Sequence, residues 1–342
     1  MMLTLIFVVV IFLVLIFPHE LGHFLSAKAS GMKVEKFSIG FGPKIWGKKI
    51  KDTEYLVSAF PLGGYVKIAG MEPGENYVER GFSSQSLWKR IGVILSGSAM
   101  NYLTSAILFA LVFMIGFETY NFNTTVVGEV ISGSPAASVG LKIGDKILEI
   151  DGNKVTEWEQ MATFVNKERE ETLILKIQRG KDILTIPVKP EFNPELNRKL
   201  IGVSPSTVLT RYNPLTSFFK GIERVAFVTW LIMSSLFYMI AGKISAEFAG
   251  PLGIVGYVSQ TVKMGIVPFL SLAALLGVNL GLFNLFPIPA LDGGRLVFLL
   301  IEGIRGKPVR IEKEALVHYI GFIILITLMF LVTYRDILRM VR

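Results

Sequence analysis

The hydrophobic residues of this chain are concentrated in four long runs, at about 3–26, 92–117, 267–287 and 317–333. A helix needs about 20 predominantly apolar residues to cross the hydrocarbon core of a bilayer. The four runs are close to that length or longer, whereas a fifth run at 225–241 is short and is bordered by charged residues. The pattern predicts a polytopic α-helical membrane protein with about four transmembrane helices.

Basic residues between the runs indicate how the chain is oriented. The stretch 28–90 carries eleven Lys and Arg residues against six Asp and Glu residues, and the loop 303–313 carries four more basic residues. Loops rich in Lys and Arg stay on the cytoplasmic side of a membrane. Both loops are cytoplasmic only if the run at 225–241 lies along the membrane or dips into it without crossing.

A different pattern occupies 122–200. Short alternating runs such as KILEI and LILKI are separated by Gly-Asp, Asp-Gly and Arg-Gly pairs. Alternation of this kind is typical of strands joined by tight turns. We expect an inserted, extracytoplasmic, β-rich domain.

Together these patterns divide the chain into eight segments. We predict transmembrane helices at 1–28, 91–118, 265–301 and 316–335. Between them we expect a membrane-associated cytoplasmic loop at 29–90, the β-rich domain at 122–200, non-spanning linker helices at 205–262 and a cytoplasmic loop at 302–315.

Composition narrows the classes of function. Hydrophobic residues make up 51% of the chain, which is above the share that is usual in soluble domains. The chain has no cysteine, so disulfides, Cys-ligated zinc and iron–sulfur clusters are excluded. The net charge of +8 is spread over the loops without a run of Lys and Arg alone. We therefore expect the lipid bilayer as a partner and no nucleic acid.

The candidate chemistry lies near the end of the first run, where FPHELGHFL contains the array H-E-x-x-H. On a helix, His19 and His23 lie one turn apart on the same face, so both imidazoles can reach one metal. Zinc suits such ligands and needs a third protein ligand, which leaves one position for water. Glu20 is placed to take a proton from that water. The alternative is a pair of interfacial histidines at a helix end.

Two residues are candidates for the third ligand, since position 29, where helical zinc proteases carry a further histidine, is Ala. Asp292 follows a mostly apolar segment in NLFPIPALDGGRL, where an acid is unexpected. The topology places Asp292 and His23 at a similar depth, near the cytoplasmic ends of inward-running helices. His318 starts the last run and is either a ligand or an interfacial histidine.

Polar amides and prolines mark the segment that leads to Asp292. Pro287 and Pro289 remove backbone donors and interrupt the helix there. Asn279 and Asn284 lie on the same segment. Asn284 either donates to an oxygen that becomes negative during a reaction or holds a substrate backbone. The alternative for both amides is hydrogen bonding between spans.

The motifs HELGH, GFGPKI, PLGGYVK and VNLGLFNLFPIPALDGG occur in this order, with the β-rich domain between the second and third spans. In this respect the chain resembles the site-2 proteases, intramembrane zinc metalloproteases of the M50 type. The similarity is to the bacterial branch that includes the regulator-of-sigma-E proteases, with a single PDZ-like domain. The resemblance implies one zinc ion held by His19, His23 and Asp292, with Glu20 as the catalytic base.

The same resemblance implies a substrate path. Asn284, and less directly Asn279, would bind the substrate. A membrane-associated β-hairpin in the loop 29–90 would line the path through two glycine motifs, namely Gly40, Phe41 and Gly42, and Gly63 and Gly64. An extended substrate could pair with this hairpin as an added strand. Ordinary turn chemistry is the alternative role for these glycines.

The resemblance also implies the partners and the location. Expected substrates are single-span membrane proteins already cut by a site-1 protease, for example anti-sigma factors or signal-peptide remnants. The protein would be a multi-pass protein of the cell (inner) membrane, with the H-E-x-x-H array near the cytoplasmic side. The PDZ-like domain, carried by GSPAASVGLKIGDKILEIDGNKV, would either filter substrates by size or bind a newly exposed C-terminus.

Two other classes of function remain open at this point. A membrane-anchored PDZ scaffold could retain the metal site without activity. A metal or proton transporter could use the same histidines and Asp292 as a pathway, but transporters often contain internal repeats, and we find none between the two halves.

Overall fold

A computed structural model of the chain describes residues 2–72, 78–166, 172–194, 196–245 and 250–341, without the side chains of 2, 3, 62, 340 and 341. The chain divides into two compact units, one of Met1–Ile115 with Tyr212–Arg342 and one of Gly116–Arg211. The helices, in chain order, are α1 (Met2–Ala29), α2 (Leu87–Ile115), α3 (Pro135–Ser138), α4 (Trp158–Val165), α5 (Pro214–Ile240), α6 (Pro251–Met264), α7 (Ile266–Asn284), α8 (Asp292–Arg305) and α9 (Ile311–Val341). The strands are β1 (Val34–Ile50), β2 (Thr53–Ile68), β3 (Phe117–Tyr120), β4 (Val127–Val130), β5 (Lys146–Ile150), β6 (Asn153–Lys154), β7 (Leu173–Arg179), β8 (Asp182–Val188), β9 (Glu191–Asn193), β10 (Arg198–Leu200), β11 (Val203–Pro205) and β12 (Thr207–Thr210).

Five of the described helices are long and apolar enough to cross a membrane, namely α1, α2, α5, α7 and α9. Four of them lie at the positions of the predicted spans, but α7 covers only the first part of 265–301 and α9 is longer at both ends than 316–335. The fifth, α5, covers the run at 225–241, and its length and composition alone do not distinguish a crossing from a dip. A membrane protein with several helical spans is confirmed, whereas the count of four depends on α5.

The predicted span 265–301 is divided into two helices. α7 ends at Asn284 and α8 begins at Asp292, so the break coincides with Pro287 and Pro289. Gly293 lets the start of α8 fold back onto the break, because a Cβ there would lie 2.5 Å from the carbonyl carbon of Leu285. The break therefore places Asp292 at a helix start instead of within a continuous span.

Small residues bring the spanning helices close together. A Cβ at Gly22 of α1 would lie 2.8 Å from a side-chain carbon of Met100 on α2. On α7, a Cβ at Gly281 would lie 3.1 Å from the ring of Tyr102. Lipid tails are as apolar as the side chains, so the hydrophobic effect does not drive helices together in a membrane. Close van der Waals contacts of this kind hold them together instead.

The predicted β-hairpin in the loop 29–90 is present as β1 and β2. Both strands bend, so that residues 34–39 pair on one side with 64–68 and on the other with 54–57. The bend contains Gly40 and Gly42, each with a φ of +87°, a conformation that L side chains rarely adopt. The hairpin exposes several large apolar side chains, including Phe41, Trp46 and Phe60.

The second unit is a small β-rich domain with its own core. Its largest sheet has the order β6-β5-β7-β8, and Ile147, Leu175 and Ile177 are fully buried beneath it. The unit extends beyond the predicted 122–200, because β12 pairs with β3 along Thr207–Thr210. These two short strands close the domain at its point of insertion.

A buried carboxylate connects the core of this domain to its sheet. Asp145 is 1% exposed and accepts hydrogen bonds from Arg179 Nε and Nη2 at 2.7 Å and from the backbone N–H of Lys142 at 2.8 Å. Burial acts to raise the pKa of Asp145, but these donors outweigh it and hold the pKa below its usual range. Asp145 thus stabilises the domain in its charged form.

The pH dependence of domain stability follows from this shift. Because the folded-state pKa of Asp145 is depressed, its contribution is fully present above the usual carboxyl pKa of about 3.9 and is lost as pH falls through the lower folded value. We expect Asp145→Asn to destabilise the domain by about 2 kcal/mol at pH 7. Hydrogen exchange of residues 116–211 in the intact protein would show this difference narrowing below about pH 4.

The matched control is Glu149→Gln on the same strand. Glu149 pairs with Lys176 at 3.0 Å, but both side chains are about one-third exposed or more. We expect a loss of less than about 0.5 kcal/mol from this variant. Equal losses for the two variants at pH 7 would contradict the role assigned to Asp145.

Candidate metal centre

The two histidines of the H-E-x-x-H array lie on α1 and face the interior of the helical unit. His19 is 8% exposed and His23 is 5% exposed. Their spacing of four residues places both rings on one face of the helix. The chain thus buries two imidazoles within a helix that is otherwise almost entirely apolar.

Asp292 completes a compact triangle of donor atoms. Its Oδ2 lies 3.2 Å from Nε2 of both His19 and His23, and the two Nε2 atoms are 3.2 Å apart. Four ligands held tetrahedrally at about 2.0–2.1 Å from a zinc ion would be about 3.3 Å apart. Asp292 Oδ2 is also buried without a conventional hydrogen bond from the described residues. The donor set therefore fits a zinc ion in both spacing and chemistry.

Ion pairs hold the helix that begins with Asp292. Arg90 of α2 forms a two-point ion pair with Glu302 of α8, and both side chains are largely buried. Arg295, also on α8, contacts Glu72 at 3.0 Å. These contacts attach α8 to α2 and to the segment that follows β2.

The outer ring nitrogens of both histidines have partners on α2. His23 Nδ1 lies 2.7 Å from the carbonyl of Val93, so Nδ1 carries a proton and donates it, leaving the Nε2 lone pair free. His19 Nδ1 lies 3.2 Å from Nδ2 of the Asn101 side-chain amide. Asn101 is 1% exposed, and its Oδ1 has no partner among the described residues. With the amide turned over, Oδ1 would take the place of Nδ2 and accept from a protonated Nδ1.

Sequence reasoning missed Asn101 and also Gly97, which lies one turn earlier on α2. A Cβ at Gly97 would lie 2.6 Å from Cε1 of His23 and 2.8 Å from Cε1 of His19. Only a residue without a side chain leaves room for both rings. The signal was present in SGSAMN, where an amide and small residues interrupt an apolar run.

Glu20 points toward the hairpin. A Cβ at Gly64 of β2 would lie 3.4 Å from Cγ of Glu20, and the backbone N–H of Val66 hydrogen-bonds to the Glu20 carboxylate. The structure thus brings Gly64 to the candidate centre. Gly63 instead packs under the ring of Phe41, whose ring stacks on Tyr65 with centroids 6.2 Å apart.

Of the remaining candidate residues, Asn284 lies close to the metal-ligand cluster, and the others do not contact it among the described residues. Asn284, the last residue of α7, has its Nδ2 3.5 Å from His19 Nε2. Asn279 is five residues earlier on another face of α7, and has no hydrogen bond to the cluster among the described residues. Gly40 and Gly42 contact Phe60 of the hairpin. His318 lies outside the metal-ligand cluster and contacts Ala290.

Comparisons with known proteins agree with this geometry. The family model described as "Peptidase family M50" matches residues 7–328. The regulator of sigma-W protease RasP of Bacillus subtilis is 32% identical, with 98% of this chain and 99% of RasP covered. A putative zinc metalloprotease of Fusobacterium nucleatum is 35% identical, with 98% and 99% covered.

Among solved structures, the PDZ domain of the SdrC-like protein of Listeria monocytogenes is similar to part of the chain. It is 23% identical, with 25% of this chain and 90% of that chain covered and a TM-score of 0.22. The likeness is local, so the full-length sequence matches carry the assignment. Since the family model covers most of the chain and the relatives align from end to end, the chain belongs to peptidase family M50, the site-2 proteases.

Proposed function

We propose that this protein hydrolyses peptide bonds within the transmembrane segments of single-span membrane proteins. The triangle formed by His19, His23 and Asp292 carries the proposal, because both histidines lie on α1, a helix long and apolar enough to cross a bilayer, and Asp292 follows a second such helix, α7. The Bacillus subtilis relative is named a regulator of sigma-W. Anti-sigma factors already cut by a site-1 protease are therefore the first substrate class to test, with signal-peptide remnants as the second.

In the proposed mechanism, Nε2 of His19, Nε2 of His23 and Oδ2 of Asp292 hold one zinc ion per chain. When bound, such an ion would supply a Lewis acid that lowers the pKa of a water molecule to about 7. Glu20, next to His19, accepts the proton of the attacking water and then delivers it to the leaving nitrogen. Asn284, with its Nδ2 near His19, donates a hydrogen bond to the substrate carbonyl oxygen as negative charge develops there.

The hairpin provides the surface on which the substrate is held. Gly64 lies against Glu20, and a Cβ there would come within 2.8 Å of the carbonyl oxygen of Ser38. A substrate in extended conformation can approach Glu20 along this strand, with its backbone paired to the hairpin. Phe41, which is 46% exposed, borders the approach, whereas Gly40 and Gly42 permit the bend that places it there.

The β-rich domain offers a groove for a second contact with the substrate. The groove, of about 390 Å³, lies between α4 and β11 and is lined by residues that include Trp158, Met161, Ile201 and Val203. Among the described strands, β11 pairs only with β4, so its other edge is available to an added strand. A C-terminus released by the first cleavage fits this groove, and a size filter remains the alternative role.

The positions of the two ends of the linker helices support a four-span topology. Just before α5, Tyr212 N–H donates to the carbonyl of Phe113 at the end of α2, and α6 begins beside Asp336 near the end of α9. With the basic loops 28–90 and 303–313 both cytoplasmic, these two ends lie on the same outer side. A crossing α5 would have to be reversed by residues 241–250, which span about 33 Å only when fully extended. The turn at Gly242 and Lys243 excludes full extension, which favours a dip.

The role of Glu20 is tested by Glu20→Gln, which keeps the size of the side chain but cannot take up a proton. We expect zinc content near one per chain in both proteins and a fall in cleavage of about 10²- to 10⁴-fold in the variant. The assay uses purified protein, a single-span substrate and a chelator control. Near-normal cleavage by Glu20→Gln would rule out the assignment.

Gly97→Ala tests the fit of the metal centre. The added methyl group would displace both imidazoles, and we expect zinc affinity to fall by about 10- to 100-fold, as for other residues that orient ligands. Gly92→Ala on the same helix is the matched control, since nothing lies within 4 Å of a Cβ there. Competition with a chelator measures both, and equal affinities would contradict the geometry.

The topology is tested with single cysteines, because the chain has none of its own. Cysteines replace Ser132 in the β-rich domain, Lys243 after α5 and Lys307 in the loop after α8. We expect a membrane-impermeant maleimide applied from outside to label positions 132 and 243 but not 307. Protection of position 243 together with 307 would show that α5 crosses.

A further inference from the structure

The third histidine of the chain contacts the segment that delivers Asp292. His318 Nδ1 accepts a hydrogen bond of 2.9 Å from the backbone N–H of Ala290, two residues before Asp292. The His318 ring also packs on Phe298 of α8, with centroids 5.6 Å apart. His318 thus contacts both the turn before Asp292 and the helix after it.

That turn is strained at Ala290. Ala290 has a φ of +74°, in the left-handed region that is unfavourable for a residue with a Cβ. Pro287 and Pro289 have no N–H to donate, and the N–H groups of Ile288 and Leu291 bond within the turn, whereas that of Ala290 donates to His318. The bond from Ala290 to His318 therefore holds the turn at its most strained residue.

A glycine on the same face of α9 supports this contact. Gly321 is three residues after His318, and a Cβ there would lie 2.7 Å from the carbonyl oxygen of Pro289. The helix can approach the turn closely only because this position lacks a side chain. Through His318 and Gly321, α9 is fitted to the shape of the turn.

We infer that His318 is a positioning residue for the metal centre, an inference that rests on the proposed zinc site. The neutral ring, with its proton on Nε2, accepts from Ala290 through Nδ1. This bond holds the turn so that Asp292 Oδ2 stays 3.2 Å from both histidine nitrogens. His318 Nε2 has no hydrogen-bond partner among the described residues, and the carboxylate of Glu314 lies 4.0 Å from it.

The test compares His318→Asn with His318→Leu in the full-length protein. The two replacements have nearly the same shape, but only Asn has an oxygen close to the position of Nδ1 that can accept from Ala290. Zinc affinity by chelator competition and cleavage of a single-span substrate are measured for both. We expect Leu to weaken zinc binding by roughly tenfold and Asn to stay within about threefold of the native protein.

Asp336→Asn at the other end of α9 is the control. Asp336 accepts from Gly250 and Gly253 of the α6 start, so this variant disturbs α9 without touching the turn. The inference is overturned if Asn and Leu at position 318 give equal affinities, or if Asp336→Asn weakens zinc binding as much as His318→Leu. A native protein that binds no zinc would instead overturn the proposed function itself.

Discussion

Three lone pairs that converge on one point constrain the whole helical unit. His19, His23 and Asp292 present their donor atoms to one another in surroundings that are mostly apolar. Such groups lose their hydration and repel unless a cation lies between them. The structure satisfies the outer atoms of the histidines through Val93 and Asn101, which shows a site organised by its surroundings.

This convergence explains why the helices pack so closely. The Val93 carbonyl reaches His23 only because α1 and α2 touch through Gly22 and Gly97. A glycine inside a helix costs about 0.5–1 kcal/mol relative to alanine. Gly97 is such a glycine, and it brings the backbone of α2 next to the candidate metal ligands His19 and His23. Helix association and the metal centre are therefore served by the same residues.

Much of the site could be predicted from the sequence because its strongest feature is local. The spacing of His19 and His23 has the same meaning on any helix, and charge patterning placed Asp292 at a matching depth. Asn101 and Gly97 could not be identified in this way, since their roles depend on which face of α2 meets α1. His318 was considered as a ligand or an interfacial residue, and its contact with Ala290 arises only from tertiary packing.

The fold shows the same division between local and distant information. Two prolines marked the break before Asp292, and alternation marked the strands of the β-rich domain. The edges of that domain were missed because β3 and β12 are only four residues long and pair across nearly the whole insertion. No periodic pattern develops in strands of that length.

Gly97 determines which side of the candidate metal centre is closed. On the α2 side the histidine rings lie directly against a backbone, which forms a closed rear wall. Glu20 faces the hairpin instead, where Gly64 lies so close to it that a helix about 10 Å across cannot pass between them. A peptide bond that reaches the centre from that side must first leave its helix. Under the proposed function, the bonds selected would be those in weakly helical stretches, such as ones near glycine or proline, with side-chain identity in second place.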